Sequence, residues 1–326
     1  MLSLTVPVLA FLSCSGSDGG PPPPDTQSSD TQVEVTDRCP NSIGWSQIVA
    51  GASSSCGIHL DGCAECWGYD QVDAERMEGN SDFDYAYNGD HDVPDTRFKM
   101  LSLPEYSPYG SMSQHVCGIS TTGQFLCWGA LTVEFAPPDG VEFVSLSSNS
   151  KESACVLDNR GTVRCWTPDL VVLEGSFVEI DSAARQCVRP SDHSQPMDCW
   201  TSIDSQTSIV VSGIDLRVGY TGYCTVDSAN TLDCFYFDGG PYAEFDGRPL
   251  PNDYRDYCLT AYLMCTLDSV GQIACDDEAP LNINGNVPTH SGFTRLSCGK
   301  GHACAVHESG DGVCWGSDHW GKSAVP

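Results

Sequence analysis

The chain has 326 residues, with 44 acidic and 15 basic side chains, so its formal net charge at neutral pH is −29. Nucleic acids and anionic lipid surfaces bind basic patches, so this charge argues against polyanionic partners. The 19 cysteines indicate export to an oxidising compartment, since thiols at such density persist as disulfides only outside a reducing cytosol.

The first 13 residues form an apolar or small run that ends at Cys14. The run is too short to span a bilayer, which needs about 20 helical residues, and its length is typical of a signal-peptide core. No Lys or Arg precedes it, so the basic segment of such signals is missing. We predict that residues 1–13 are a signal peptide of an exported protein.

The end of this run, Phe11-Leu12-Ser13-Cys14, resembles the lipobox of bacterial lipoproteins, in which the cysteine is lipidated and becomes the new N-terminus. Phe11 and Leu12 depart from the usual leucine and the usual small residue. The resemblance implies lipid attachment at Cys14, and Ser15 after it implies sorting to the outer membrane or cell surface. An ordinary secretory signal cleaved nearby, with Cys14 incidental, is the alternative.

Residues 14–38 have the composition of a disordered tether. They contain four consecutive prolines and many Gly, Ser, Thr and Asp residues, with almost nothing apolar to pack. We therefore expect a folded domain that contacts the membrane through its lipid alone.

Residues 39–326 contain seven copies of one motif, in which two cysteines bracket a turn. Six copies separate the cysteines by ten positions and one copy separates them by twelve. A spacing of ten places the two cysteines opposite each other in a β-hairpin with a three-residue loop, at a distance compatible with a disulfide. The predicted hairpin disulfides are Cys56–Cys66, Cys117–Cys127, Cys155–Cys165, Cys187–Cys199, Cys224–Cys234, Cys265–Cys275 and Cys304–Cys314.

The loops of these hairpins carry a second signal. The third residue of such a loop adopts the left-handed conformation, which favours Gly or Asn. All six copies with the regular spacing comply, with Gly62, Gly123, Gly161, Asn230, Gly271 and Gly310 at that position.

Each copy follows a short strand-like stretch, such as residues 45–51 and 293–297. Repeats of about forty residues with three or four short strands are typical of β-propellers. We predict an all-β fold, a seven-bladed β-propeller with one disulfide-stapled hairpin per blade. The final Val325-Pro326 matches Val287-Pro288 ahead of the seventh unit, so we expect both termini to share one blade and close the ring.

The pattern around Cys304 and Cys314, GKGHACAV followed by GVCWG, resembles the regulator-of-chromosome-condensation repeat in its secreted, cysteine-paired bacterial version. The likeness covers residues 39–326 and is weakest in the fourth to sixth units, where Phe235 and Asp276 depart from the Trp-Gly pair. It implies a seven-bladed propeller but no single activity. His302 matches a common family position, and we expect His302 and His307 to be structural.

Five cysteines lie outside the hairpin pairs. Cys63 alternates onto the strand face opposite Cys66, so it is available to join Cys39. The other three are Cys258, Cys298 and Cys14.

Cys258 and Cys298 occupy similar positions ahead of their units' first cysteines, so we expect them to link neighbouring blades. Cys14 is then the unpaired cysteine, which fits its lipidation. The single C-x-x-C has no second pair or spaced histidines, so we expect no zinc site, no other metal site and no cofactor.

Two segments carry candidate binding residues. Residues 69–99 form an acidic insertion with interspersed aromatic side chains; it does not match the calcium-loop pattern, and its alternatives are a Ca²⁺ site and a solvated loop. An aromatic cluster after the fifth hairpin is typical of protein or glycan contact surfaces, and a loop packed on itself is equally compatible. The candidate residues are Asp82, Asp84, Tyr85, Tyr87, Tyr236 and Tyr242.

The sequence contains no serine-hydrolase, zinc-protease or phosphate-loop motif, and its eight histidines are scattered. We predict no enzymatic activity but a monomeric, lipid-anchored or otherwise secreted scaffold that binds a protein or carbohydrate. The alternatives are an extracytoplasmic propeller hydrolase or lyase and a secreted enzyme inhibitor. An acidic or histidine cluster at one mouth of the central channel would favour the enzyme.

Overall fold

The computed structural model describes residues 39–68, 92–105, 115–149 and 153–326, apart from gaps at 168, 193, 201–206, 210–212, 220, 239, 241–244, 252, 261–262, 278–285 and 319–320. The predicted signal peptide, lipid site and tether lie outside the described residues, as does most of the acidic insertion. The chain separates into Met1–Asp37 and a compact unit, Arg38–Pro326, and the fold below is that of the second unit.

The described residues form seven antiparallel sheets in which consecutive strands pair. The first three sheets consist of β1 (Trp45–Ala50), β2 (Ser54–His59) and β3 (Ala64–Gly68); β4 (Phe98–Ser102), β5 (His115–Ser120), β6 (Phe125–Gly129) and β7 (Val133–Phe135); β8 (Phe143–Asn149), β9 (Ser153–Asp158), β10 (Val163–Trp166) and β11 (Leu170–Leu173). The chain therefore folds locally, one sheet after another, as the sequence repeat predicts.

The other four sheets follow the same order. They consist of β12 (Phe177–Ser182), β13 (Gln186–Pro190), β14 (Met197–Trp200) and β15 (Thr207–Ile209); β16 (Ile214–Val218), β17 (Gly222–Val226) and β18 (Leu232–Tyr236); β19 (Tyr254–Leu259), β20 (Leu263–Asp268) and β21 (Ile273–Asp277); β22 (Phe293–Gly299), β23 (His302–His307) and β24 (Gly312–Gly316). In the part of the chain that is described, no helix is both long and apolar enough to cross a membrane.

The second and third strands of every sheet form the predicted cysteine hairpin. The two cysteines are register partners in all seven, and their Cα atoms lie 4.0 to 4.1 Å apart. This short separation is typical of a non-hydrogen-bonded pair, in which side chains approach most closely. The hairpin disulfides predicted from spacing are confirmed.

The left-handed loop position predicted for the regular hairpins is also confirmed, with φ between 58° and 90° at Gly62, Gly123, Gly161, Asn230, Gly271 and Gly310. Four of these residues also contact the next sheet, because their carbonyl accepts a hydrogen bond from the first residue of its first strand. These bonds run from Phe98 to Gly62, from Phe177 to Gly161, from Phe293 to Gly271 and from Trp45 to Gly310. The last one joins the first sheet to the seventh.

The first strand of each sheet contacts the first strand of the next, and β22 of the seventh sheet contacts β1 of the first. Each first strand pairs with the second, so one of its residues lies opposite the first cysteine of the hairpin. We call these the level residues; they are Val49, Ser102, Ser147, Asp181, Arg217, Cys258 and Ser297.

Level residues connect neighbouring sheets in a repeated way. The Ser147 hydroxyl donates to Ser182 Oγ at 2.6 Å, and Ser297 Oγ accepts from the Ala50 amide at 3.0 Å. In both cases the partner is the residue that follows the level residue of the next sheet. Asp181 makes the same connection, because its carboxylate accepts a hydrogen bond from the amide of Val218, the residue after the level residue Arg217, at 2.7 Å.

Cys258 makes the covalent version of this connection. It is the level residue of the sixth sheet, and its disulfide joins Cys298, which follows the level residue of the seventh. The structure therefore has a disulfide where other junctions have a hydrogen bond. A ninth disulfide joins Cys39, ahead of β1, to Cys63 in the first hairpin.

The C-terminal segment lies against the first sheet. Its Lys322 carbonyl accepts hydrogen bonds from Ser55 Oγ at 2.9 Å and from the Trp67 indole at 3.1 Å, and Lys322 Nζ donates to the Lys300 carbonyl at 2.6 Å. Val325 packs on an apolar cluster that includes Trp45 of β1. Lys322 thus connects the first and seventh sheets, although residues 321–326 form no strand.

We predict that the Cys258–Cys298 disulfide stabilises the fold more than a hairpin disulfide does. It closes a loop of 40 residues, against 10 for Cys265–Cys275. Loop entropy gives about 4 kcal/mol for the longer loop and about 3 kcal/mol for the shorter. Equilibrium urea unfolding of the double alanine variants measures both; an equal or larger loss for the hairpin pair would contradict the prediction.

Candidate functional site: the inner cavity

A cavity of about 160 Å³ lies between the first strands of the fourth to seventh sheets. Level residues Asp181, Arg217 and Ser297 line it, together with Asp256 and with Glu105, which follows the first strand of the second sheet. The Cys258–Cys298 disulfide forms part of the wall. We call this space the inner cavity.

Arg217 is the cation of the inner cavity, and each of its three guanidinium nitrogens has a partner. Nε donates to the Tyr257 carbonyl at 2.9 Å, and Nη1 to the Leu216 carbonyl at 3.0 Å. Nη1 lies 2.7 Å from Asp215, and Nη2 lies 2.8 Å from Asp256. Although burial lowers the pKa of the guanidinium, these two carboxylates raise it above its usual value.

Asp215 reaches Arg217 through an irregularity in the strand. The register of β16 against β17 shifts between Ile214 and Arg217, and Asp215 has a φ of 55°. A left-handed conformation is uncommon for a residue with a side chain, and such positions occur often at functional sites. The bulge turns the Asp215 carboxylate toward the guanidinium.

Two carboxyl groups of the inner cavity have raised pKa values. Burial raises the pKa of Asp181 to about 6, although Arg217 opposes this shift. Burial also raises the pKa of Glu105 well above its ordinary value, and the charge of Asp181 adds to the effect. Oε2 of Glu105 is buried and accepts no hydrogen bond from the described residues. The cavity therefore has spare acceptor capacity.

Most of the predicted binding residues cannot be placed. Asp82, Asp84, Tyr85, Tyr87 and Tyr242 lie outside the described residues, as does Cys14.

Tyr236 is the exception. It lies at the end of β18, is half-buried and packs against an apolar cluster of the fifth and sixth sheets. Its neighbours Phe235 and Phe237 contact the ring of Tyr223. The described part of this aromatic cluster therefore packs on the body of the fold.

His115 and His302 are buried, whereas His307 is half-exposed and its Nδ1 lies 2.7 Å from Ser309 Oγ. His302 Nε2 lies 2.8 Å from Ser55 Oγ in the first sheet, and burial lowers the pKa of His302 to about 3, with the charge of Lys322 adding to this effect. His115, two residues before its hairpin cysteine as His302 is, has its pKa lowered to about 4 by burial. Both are neutral at physiological pH, as expected of packing residues.

Three sulfur atoms cluster beside the inner cavity. The Sγ atoms of Cys258, Cys265 and Cys298 lie within 4.8 Å of one another. All three are in disulfides, so none offers a thiolate to a metal.

Glu105, Asp181, Arg217 and Asp256 are not among the site residues predicted from the sequence. The available signal was that short apolar strands such as FVEIDS and IDLRV carry charges at the positions opposite their hairpins. Aligning those positions on the first hairpin cysteine of each unit would have placed Asp181 and Arg217 at one level.

No protein-family model matches the chain. No curated protein sequence matches it either.

Solved structures share its fold. The ectodomain of the receptor kinase CR4 of Physcomitrella patens is 17% identical over 83% of this chain and 72% of its own, with a TM-score of 0.58. The CRINKLY WD40 ectodomain of the Arabidopsis thaliana receptor kinase ACR4 is 16% identical over 84% of this chain and 96% of its own, with a TM-score of 0.55. Both are propellers, so the chain has a β-propeller fold.

Yeast RCC1 (Prp20), solved with Kap60, is similar at a lower level. It is 11% identical over 86% of this chain and 72% of its own, with a TM-score of 0.48. Nothing about function follows from a likeness this weak.

We predict that Asp181→Asn stabilises the protein at neutral pH. The pKa of Asp181 rises from near 4 in the unfolded chain to about 6 in the fold, so the native state binds its proton more tightly. Its contribution to stability is therefore full below pH ~4 and is lost as the pH rises through about 6. The loss amounts to at most about 3 kcal/mol.

Urea unfolding of the wild type and Asp181→Asn between pH 4 and 7 measures this effect. The stability difference in favour of the variant grows with pH. The exposed Asp139→Asn variant changes the net charge equally and is expected to follow the wild type. A difference between wild type and Asp181→Asn that stays constant across this range would show that Asp181 is ionised normally.

Proposed function

We propose that the protein is an exported, seven-bladed propeller scaffold that binds a protein or carbohydrate at the cell surface. Cys14 carries the lipid that anchors it, residues 14–38 are the tether, and residues 39–326 are the monomeric binding domain.

The contacts between sheets support seven blades in a closed ring. The Trp45 amide bonds to the Gly310 carbonyl at 2.7 Å, as Phe98 bonds to Gly62 at 2.8 Å between the first two sheets. Val325 packs on the first sheet's apolar cluster, as Val287 does on the seventh sheet's. The junction between the first and last sheets thus repeats the contacts of an internal junction.

The disulfides carry the proposal of an exported scaffold. Nine disulfides lie within the described residues, and every sheet contains at least one. Disulfides of this number form and persist only in an oxidising compartment. They also hold each sheet rigidly, so the loops between strands are free to vary, as binding loops on a fixed framework do.

Lipid labelling tests the anchor. Cells that express the full chain are grown with an alkyne-tagged fatty acid, and the protein is expected to acquire the label and to fractionate with membranes. Cys14→Ala is expected to lose both. The control is Ser13→Ala, which keeps a small residue before the cysteine; equal labelling of Cys14→Ala would refute anchoring at this residue.

A binding comparison tests the scaffold. The domain without its signal is immobilised and exposed to envelope proteins and to a glycan array, beside a variant that lacks residues 70–95. The acidic insertion contains four of the candidate binding residues, so the deletion is expected to lower the captured ligand at least tenfold. Unchanged capture would remove the insertion from the proposal, and no saturable ligand in either format would remove the scaffold.

An enzyme remains the second candidate, because the inner cavity is acidic. Glu105 and Asp181 are two carboxyl groups with raised pKa values in one cavity, as general acid–base catalysis requires. The cavity of about 160 Å³ is, however, small beside ligand pockets of about 300 to 1,000 Å³. Glycosidase or lyase turnover that Glu105→Gln abolishes would favour the enzyme over the scaffold.

A further inference from the structure

We propose that the inner cavity is a binding site for a small organic cation with a primary ammonium group, held by the carboxylates of Glu105 and Asp181. The site is distinct from the loop surface of the proposed scaffold, and it does not depend on that function.

The side chains that line the inner cavity offer a free hydrogen-bond acceptor but few free donors, so a ligand that donates hydrogen bonds and carries positive charge fits it best. Each nitrogen of Arg217 already contacts a backbone carbonyl or a carboxylate, and Asp215 and Asp256 compensate its charge, so the guanidinium has little left to attract an anion. Oε2 of Glu105 is buried without a hydrogen bond from the described residues. A buried acceptor without a donor destabilises the fold, and a donor bound inside the cavity would remove this cost.

The charges around the cavity also favour a cationic ligand. More acidic groups than basic groups surround Arg217 and its neighbours. Glu105 and Asp181 are close enough to interact, and Arg217 and Glu179 also act on them. The groups that act on Arg217 in turn are Asp215, Asp256, Tyr254 and Tyr257. Arg189 forms an ion pair with Glu179 at 2.6 Å, which leaves the remaining carboxyl groups in excess over Arg217. The site therefore attracts positive charge and repels anions.

The geometry favours an organic ammonium over a metal ion. Among the described residues, no carboxylate cluster brings three ligand atoms within 4.8 Å, since the cysteines 258, 265 and 298 form the group that meets this distance. A bare metal ion would lack its coordination shell. A volume of about 160 Å³ holds a compact ammonium, whose three N–H donors need no fixed coordination shell. The apolar side chains of Leu259 and Leu296 line the same space and suit a short alkyl group.

Ethylammonium chloride is the probe, titrated into the full-length protein by isothermal calorimetry at constant ionic strength. We expect one saturable site at pH 7.5. Tetraethylammonium, which is larger and has no N–H donor, is not expected to bind. Because binding requires ionised carboxylates and burial raises the pKa of both Glu105 and Asp181, affinity falls as the pH is lowered, and protons are released on binding at pH 6.

Glu105→Gln and Asp181→Asn each remove one buried charge and are expected to weaken ethylammonium binding about 10- to 100-fold. Asp139→Asn is exposed, changes the net charge equally and is expected to bind as the wild type does. Equal affinity in all four proteins, binding of tetraethylammonium at the same site, or no saturable binding would overturn the proposal.

Buffer-dependent enthalpies of the wild type give a test that needs no variant. Release of protons at pH 6 supports the site, and its absence contradicts it. These titrations use the purified protein without a partner, so their failure would leave the surface scaffold untouched.

Discussion

The disulfide across each hairpin fixes the register of the two strands that carry it, and the arrangement of the sheets depends on that register. A slip by one residue would turn every side chain of a strand to the opposite face. Because the cysteines face each other in all seven hairpins, the residue opposite the first cysteine falls at the same height in every sheet. Neighbouring sheets then connect through equivalent residues.

The connections between neighbouring sheets use different chemical groups, but each joins a level residue to the residue that follows the level residue of the next sheet. Serine hydroxyls join the third sheet to the fourth and the seventh to the first, whereas a carboxylate joins the fourth to the fifth. A disulfide joins the sixth to the seventh. In the fourth and fifth sheets the level residues are charged, namely Asp181 and Arg217, and both line the inner cavity. The cavity is therefore polar because charged residues occupy level positions that hold uncharged residues in the other sheets.

The sequence permitted the antiparallel sheets and the hairpin disulfides to be predicted, because a disulfide hairpin is a local structure whose spacing is visible in one segment. The inner cavity was not predictable in the same way. Glu105 follows the first strand of the second sheet and Asp181 lies in the fourth, so only the packing of separate sheets brings both to one cavity. Asp215 contacts Arg217 because the strand has a bulge at this point, and the sequence did not allow us to predict the contact. The binding residues proposed in the acidic insertion remain predictions.

Mass-spectrometric mapping of non-reduced peptides tests the hairpin register most directly. The account predicts seven disulfides within hairpins, together with Cys39–Cys63 and Cys258–Cys298. Finding any hairpin cysteine joined to a cysteine of another sheet would contradict it, since the level residues would then no longer share one height.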